Sequence, residues 1–160
     1  MTKTNDPRPT TTITVRAAHL DDLEDLVAGN IALAAESEGV HLDAATLRHG
    51  IRALLESRAP GQYWVAVLDG RIAGQLLITY EWSDWRNRMV WWIQSVYVAP
   101  EARGRGTFRA LYENAKRQAQ AANAGGLRLY VDTRNARAQK VYAAVGMNGE
   151  HYRVFEDMFS

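Results

Sequence analysis

Cysteine is absent from the 160 residues, so neither a disulfide framework nor a thiolate-ligated zinc site is available to this chain. The four histidines, His19, His41, His49 and His151, show no ligand spacing, and no metal is expected. Long hydrophobic runs are missing too. No apolar stretch approaches the roughly 20 residues that a membrane span needs, and residues 1–12 are polar, without the apolar core of a signal peptide. The expectation is a cytoplasmic protein with no membrane partner. An excess of one charge is also lacking, since 19 Lys and Arg stand against 18 Asp and Glu.

What is present is a 47% hydrophobic composition, enough for the core of one ordinary domain and too much for a disordered polymer. The near-neutral charge is also unevenly spread. Residues 101–140 hold nine bases and three acids, a local balance of +6, which leaves −5 on the rest. A basic surplus of that size points to an anionic partner for the segment, and the remainder to a surface that repels one.

Residues 1–11 read as a flexible tail, and residues 12–160 as a single domain. The apolar spacing predicts a strand at Ile13 and Val15, a helix over 20–36, and a second helix capped by Asp43 and running to about Arg58. Strand patterns follow over 63–68 and 72–80, joined by Asp69-Gly70, a pair that two-residue hairpins favour. A polar stretch over 81–88 precedes another strand over 89–98. Helical spacing returns over 108–122 and stops at Gly125-Gly126, before a strand over 127–131, a short helix over 136–145 and a last strand around 151–159. The expected class is α/β (α+β mixed sheet), with six or seven mostly antiparallel strands flanked by about four helices.

Two segments carry chemistry. In the first, a strand ending Val96-Tyr97-Val98 leads through Arg103-Gly104-Arg105-Gly106-Thr107-Phe108 into a helix. The unpaired N–H groups of a helix start face such a turn, and the dipole adds about 0.3–1 kcal/mol for an anion, so a pyrophosphate is the natural guest. Taken alone, Arg-Gly-Arg-Gly reads as a solvated surface turn, and it is neither a P-loop nor the dinucleotide fingerprint. In the second segment, Asn135 caps a helix with Ala138, Val141, Tyr142 and Val145 on one face.

Together the two segments closely resemble the GNAT superfamily of acyl-CoA-dependent N-acetyltransferases. Arg103 and Gly106 match the family's (Gln/Arg)-x-x-Gly-x-(Gly/Ala), and Asn135, Ala138, Tyr142 and Gly146 match Asn-x-x-Ala-x-x-x-Tyr-x-x-x-Gly-Phe, with Met147 in place of Phe. Phe108 departs from the small residue the family expects. The resemblance covers residues 13–160, including the element order. It implies acetyl-CoA as cosubstrate, with the backbone of Val96, Tyr97 and Val98 along the pantetheine arm and that of Arg103, Gly104, Arg105, Gly106, Thr107 and Phe108 at the pyrophosphate. It further implies Asn135 on the cofactor side, Tyr142 as the acid for the leaving thiolate, and a form compatible with a homodimer.

Acetyl transfer to an amine needs a neutral nucleophile, and an alkyl ammonium of pKa about 10.4 must lose its proton at a cost of about 4–5 kcal/mol at neutral pH. Many family members place a carboxylate on the strand before the phosphate turn. That strand, 91–98, has none here. The candidates that remain are Glu81, which follows directly on an apolar strand, then Asp84, Glu36 and Glu38, or a water chain to solvent.

Four of the five tryptophans lie within 82–92, and Trp82 and Trp85 fall in polar sequence beside Glu81 and Asp84. Such a group can hold a cationic amine by charge and cation–π attraction, or can cap the sheet. The leading expectation is an enzyme that acetylates a primary amine of a small molecule or polypeptide. A catalytically idle module that binds CoA thioesters is the alternative, kept open by the missing strand carboxylate. Nucleic acid is not expected as a partner, because the bases gather at a helix start rather than along a face interleaved with aromatics.

Overall fold

A computed structural model describes residues 12–159, so the proposed tail, residues 1–11, lies outside the described residues. Strand β1 (Thr14–Ala17) is followed by a 3-10 turn (Leu20–Asp22) and helices α1 (Leu23–Ser37) and α2 (Ala44–Glu56). Strands β2 (Gly61–Leu68), β3 (Arg71–Ser83) and β4 (Arg88–Val98) form a meander. A 3-10 turn (Pro100–Ala102), helix α3 (Thr107–Ala121), strand β5 (Leu127–Arg128) and helix α4 (Ala136–Ala144) complete the order.

Local chemistry accounts for several boundaries. The Asp43 carboxylate accepts from the Thr46 amide at 2.7 Å and starts α2 as predicted. Asp69 and Gly70 both have positive φ, 51° and 75°, the mirror-image turn that suits the right-handed twist of β2 and β3. Asp22 is buried after β1, where its carboxylate takes both Arg16 guanidinium donors at 2.7 and 2.8 Å and the His19 amide at 2.9 Å. That pairing holds its carboxyl below the usual range.

The five strands lie in the order β1-β2-β3-β4-β5, antiparallel except for β4 and β5. Alternation sends side chains to two layers. Val65 and Tyr63 pack with Leu26 and Ile51 under α1 and α2, while Ala66, Leu76, Ile78 and Ile93 pack with Leu111 and Ala115 of α3. Leu26, Leu76, Ile78 and Leu111 are fully buried, each worth about 1.5–3 kcal/mol. Trp91 and Trp92 face opposite sides as expected: Trp91 meets Tyr80 edge-on in the α3 layer, and Trp92 meets Tyr130 on the other side.

Two expectations need correction. Only half of the polar stretch over 81–88 is a separating loop, because β3 and β4 extend into it and pair as far as Ser83 with Arg88, leaving 84–87 as the turn. The last strand, over 151–159, is absent, so five strands replace the six or seven expected among the described residues. A strand needs a neighbour to complete its ladder. The sheet edge beside that segment, β5, is only two residues long. None of the helices among the described residues is long and apolar enough to cross a membrane.

Candidate functional site

The site begins with a slip in the register of β4. Leu77 pairs with Ser95 but Ile78 pairs with Ile93, so Gln94 is an extra residue, a β-bulge. Its side-chain Nε2 donates to Thr79 Oγ1 at 2.8 Å. A bulge bends its strand, and the consequence is visible at once: β5 pairs only with Trp91 and Trp92. From there to Val98, the edge of β4 turned toward β5 has no strand partner among the described residues. The sequence did carry a sign of this, because the α3-side residues fall at Trp91 and Ile93 and then at Val96, one step out of alternation.

The open edge leads into the basic turn. Gly106 is the N-cap of α3 with φ of 89°, a left-handed backbone that glycine adopts without strain, and no side chain caps the helix. The N–H groups of its first turn therefore remain available. Thr107 is buried, its hydroxyl donating to the Ala102 carbonyl at 3.0 Å, so only its backbone serves the turn. Gly74, beneath α3, was not singled out from sequence. A Cβ there would lie 3.0 Å from both Thr107 Cγ2 and the Tyr97 carbonyl, so the helix start reaches the sheet only over glycine.

Arg103 turns away from the turn it begins. Its Nε donates to the Val98 carbonyl at 3.0 Å, its Nη2 meets Glu36 at 2.5 Å, and it lies 5.9 Å from the Tyr97 ring centroid. Arg128 and Arg134 are likewise paired, with Glu81 at 2.9 Å and Asp132 at 2.6 Å. Three of the bases behind the +6 balance are thus matched by acids, whereas Arg105 is exposed at the turn.

Tyr142, on α4, is half-buried, and burial pushes its phenol up. Its ring is 5.8 Å from Phe108, which stacks in turn on Tyr112 at 6.0 Å. Phe108, where the resemblance expects a small residue, is therefore a packing bridge from α3 to Tyr142. Phe108→Ala is expected to cost about 2–3 kcal/mol, below the range for a fully buried Phe because the ring is part-exposed, while the surviving fold keeps its acyl-CoA affinity. Chemical denaturation and calorimetry would check this, and a selective affinity loss above tenfold would give Phe108 a ligand contact.

Asn135 accepts from the Ala138 amide at 3.0 Å and starts α4 as predicted. It also lines a cleft of about 480 Å³ with Glu36, Ser37, Glu38, Asp132 and Arg134. The structure thus brings Asn135 together with two of the candidate acceptor acids. Arg134 holds the Asp132 carboxyl down to about 2.

The other acceptor-side candidates lie elsewhere. Trp82 pairs with Met89, five residues and roughly 17 Å along β4 from the bulge. Asp84 and Trp85 are farther still, in the exposed hairpin turn, where the Asp84 carboxylate accepts from the Trp85 amide. Glu81 is part of β3 and bonded at both oxygens, accepting from Trp92 Nε1 at 2.7 Å and from Arg128 at 2.9 Å.

The acetyltransferase (GNAT) family model matches residues 30–147, which include both motifs and every element from within α1 to α4. The chain belongs to the GNAT family. A possible acetyltransferase from Clostridium difficile 630 is similar at 38% identity and a TM-score of 0.85, covering 92% of this chain and 98% of that one. At the level of fold alone, this GNAT protein is also similar to an aminoglycoside N-acetyltransferase solved in complex with CoA, at 17% identity, TM-score 0.79, and coverage of 96% and 98%. A ribosomal-protein-alanine N-acetyltransferase from Brucella melitensis biovar Abortus 2308 is similar at 16% identity, TM-score 0.74, and coverage of 92% and 100%. No curated protein matches the chain significantly. The GNAT assignment makes the opening between β4 and β5 and the turn at α3 the places where acetyl-transfer chemistry is to be sought.

Proposed function

We propose that this protein transfers an acetyl group from acetyl-CoA to a primary amine of a small molecule or polypeptide. The observation that carries the reading is the joint placement of β4's unpartnered edge and the uncapped start of α3 at its end. An arm bearing amides can pair along Val96, Tyr97 and Val98 as a short added strand, and a pyrophosphate fits the N–H groups of residues 103–108. The exposed Arg105 adds charge to the same turn.

When bound, acetyl-CoA supplies an activated thioester: the amine nitrogen bonds to its carbonyl carbon, the C–S bond breaks, the amine loses a proton and the thiolate gains one. Tyr142 remains protonated at neutral pH, and its phenol makes no hydrogen bond among the described residues. It is the group assigned to hydrogen-bond, and finally protonate, the leaving sulfur. Glu38 is the lining acid with no ion pair among the described residues, since Glu36 is held by Arg103 and Asp132 by Arg134, and its charge gives the cleft beside Asn135 a preference for a cationic acceptor.

Glu81 has a different first task than proton acceptance. Clamped by an indole and a guanidinium, it ties β3, β4 and β5 together, and the amine proton passes to water in the open cleft. Glu81→Gln should therefore cost about 1–2 kcal/mol of stability and change turnover less than threefold. A tenfold fall in kcat/KM with a flattened acid limb of the pH profile would restore Glu81 as the base.

Free-thiol release from acetyl-CoA across a panel of amines tests the whole reading. The expected result is amine-dependent thiol release above the hydrolytic background. Acetyl-CoA binding without release from any amine would favour the idle binding module, for which the carboxylate-free β4 is the supporting feature.

A further inference from the structure

Arg103 begins the basic turn, yet its side chain is spent on two other parts of the molecule. The Ala99 amide donates to the Ala73 carbonyl at 2.9 Å, so the Val98 carbonyl, on the opposite side of the same trans peptide, points away from β3 to the open edge of β4. Arg103 Nε fills that carbonyl at 3.0 Å, and Nη2 holds the Glu36 carboxylate at 2.5 Å. Glu36 sits on the last turn of α1 and lines the cleft with Glu38, Asp132, Arg134 and Asn135. One guanidinium therefore spans from the basic turn to the acceptor cleft.

The two anchors differ in kind. The Val98 carbonyl is fixed backbone, whereas Glu36 and Arg103 pair through side chains that are 45% and 30% exposed, and an ion pair open to water is held weakly. With a pyrophosphate on the N–H groups of residues 103–108, Arg103 has a second anion beside it, of higher charge and with oxygens that suit the guanidinium's paired donors. Exchange of one anion for the other changes the cleft. Of its three acids, Glu36 and Asp132 are matched by Arg103 and Arg134, which leaves Glu38 as the free charge among the described residues. Release of Glu36 makes two.

We infer that Arg103 is a positioning residue for which Glu36 and the pyrophosphate compete. In the free protein it holds Glu36; when acetyl-CoA binds, Arg103 exchanges Glu36 for the pyrophosphate, and Glu36 becomes available to a cationic group of the acceptor. Linkage makes the effect mutual: an acceptor held by Glu36 strengthens acetyl-CoA binding by the same factor as acetyl-CoA strengthens acceptor binding. The inference rests on the proposed use of acetyl-CoA and adds to it how the two sites are coupled.

Calorimetric titration with CoA, which binds without reacting, tests the exchange in the wild type, Glu36→Gln, Arg103→Gln and the double variant. Glu36→Gln should bind CoA about threefold more tightly than wild type or better, because Arg103 is no longer held back. The gain should vanish when Arg103→Gln is also present, the signature of a coupled pair. Glu38→Gln removes the same charge from the same cleft without freeing an arginine, and should change CoA affinity less than about twofold at 0.15 M salt, where distant charges are screened. With the amine that gives the fastest thiol release, Glu36→Gln should raise KM about threefold or more and leave kcat within about twofold. No binding of CoA by the wild type would overturn both this inference and the acetyl-CoA reading. Wild-type binding with no gain in Glu36→Gln, an equal gain in Glu38→Gln, a gain that survives Arg103→Gln, or an unchanged KM would overturn the exchange alone.

Discussion

Gly106→Asp should weaken acetyl-CoA binding by at least 100-fold, about 2.7 kcal/mol, in a protein that still folds. Two effects combine at this position. The backbone has φ of 89°, which costs an L-residue about 1–2 kcal/mol, and that part falls on stability. The new carboxylate also stands where the first-turn N–H groups of α3 would meet a pyrophosphate. One pair of like charges at 4 Å is worth about 4 kcal/mol at an effective dielectric near 20, enough to cancel the attraction of the helix start. Gly106→Ala separates the two, since it carries the strain without the charge and should lose stability with far less affinity. Calorimetric titration of both variants makes the comparison. Equal affinity losses would move the phosphate site away from this turn.

Tyr142→Phe should lower kcat tenfold or more while acetyl-CoA affinity and melting temperature stay close to wild type. The ring keeps its place against Phe108, so the loss is confined to one hydroxyl. A general acid contributes typically 10²–10⁴-fold. The effect here belongs at or below the lower end, because a thiol of pKa about 8.5 is already a good leaving group. Burial raises the phenol pKa, so its acidic form persists through neutral pH and is lost only as pH rises above the usual tyrosine value near 10. The rate advantage of wild type over Tyr142→Phe should therefore be constant through neutrality and shrink only at strongly alkaline pH. Equal turnover of the two proteins would remove Tyr142 from the chemistry.

The elements that could be read along the chain were those whose causes are local. Asp43 and Asn135 each start a helix by a bond to the amide three residues on, and the Asp69-Gly70 turn needs only its own two dihedral angles. The motif residues Arg103, Gly106, Asn135 and Tyr142 were legible for the same reason, being short patterns attached to one strand or helix. Residues 151–159 were misread because alternation describes a strand's faces and not whether a neighbour exists. Glu81 and Trp82 were read as polar loop because their composition gives no sign of the β4 residues they pair with, Val90 and Met89.

The sequence by itself determined the family, the order of most elements and the pairing of two arginines with two glycines in the turn before α3. The tertiary structure decided how those parts meet. It opened β4 at Gln94, turned Arg103 onto Glu36 and Val98, set Phe108 against Tyr142, and clamped Glu81 between Trp92 and Arg128. Each of these joins residues separated by many positions in the chain or depends on the register between strands. Local patterns fix which backbone states a segment prefers, while contacts between distant segments form only when packing has brought them together.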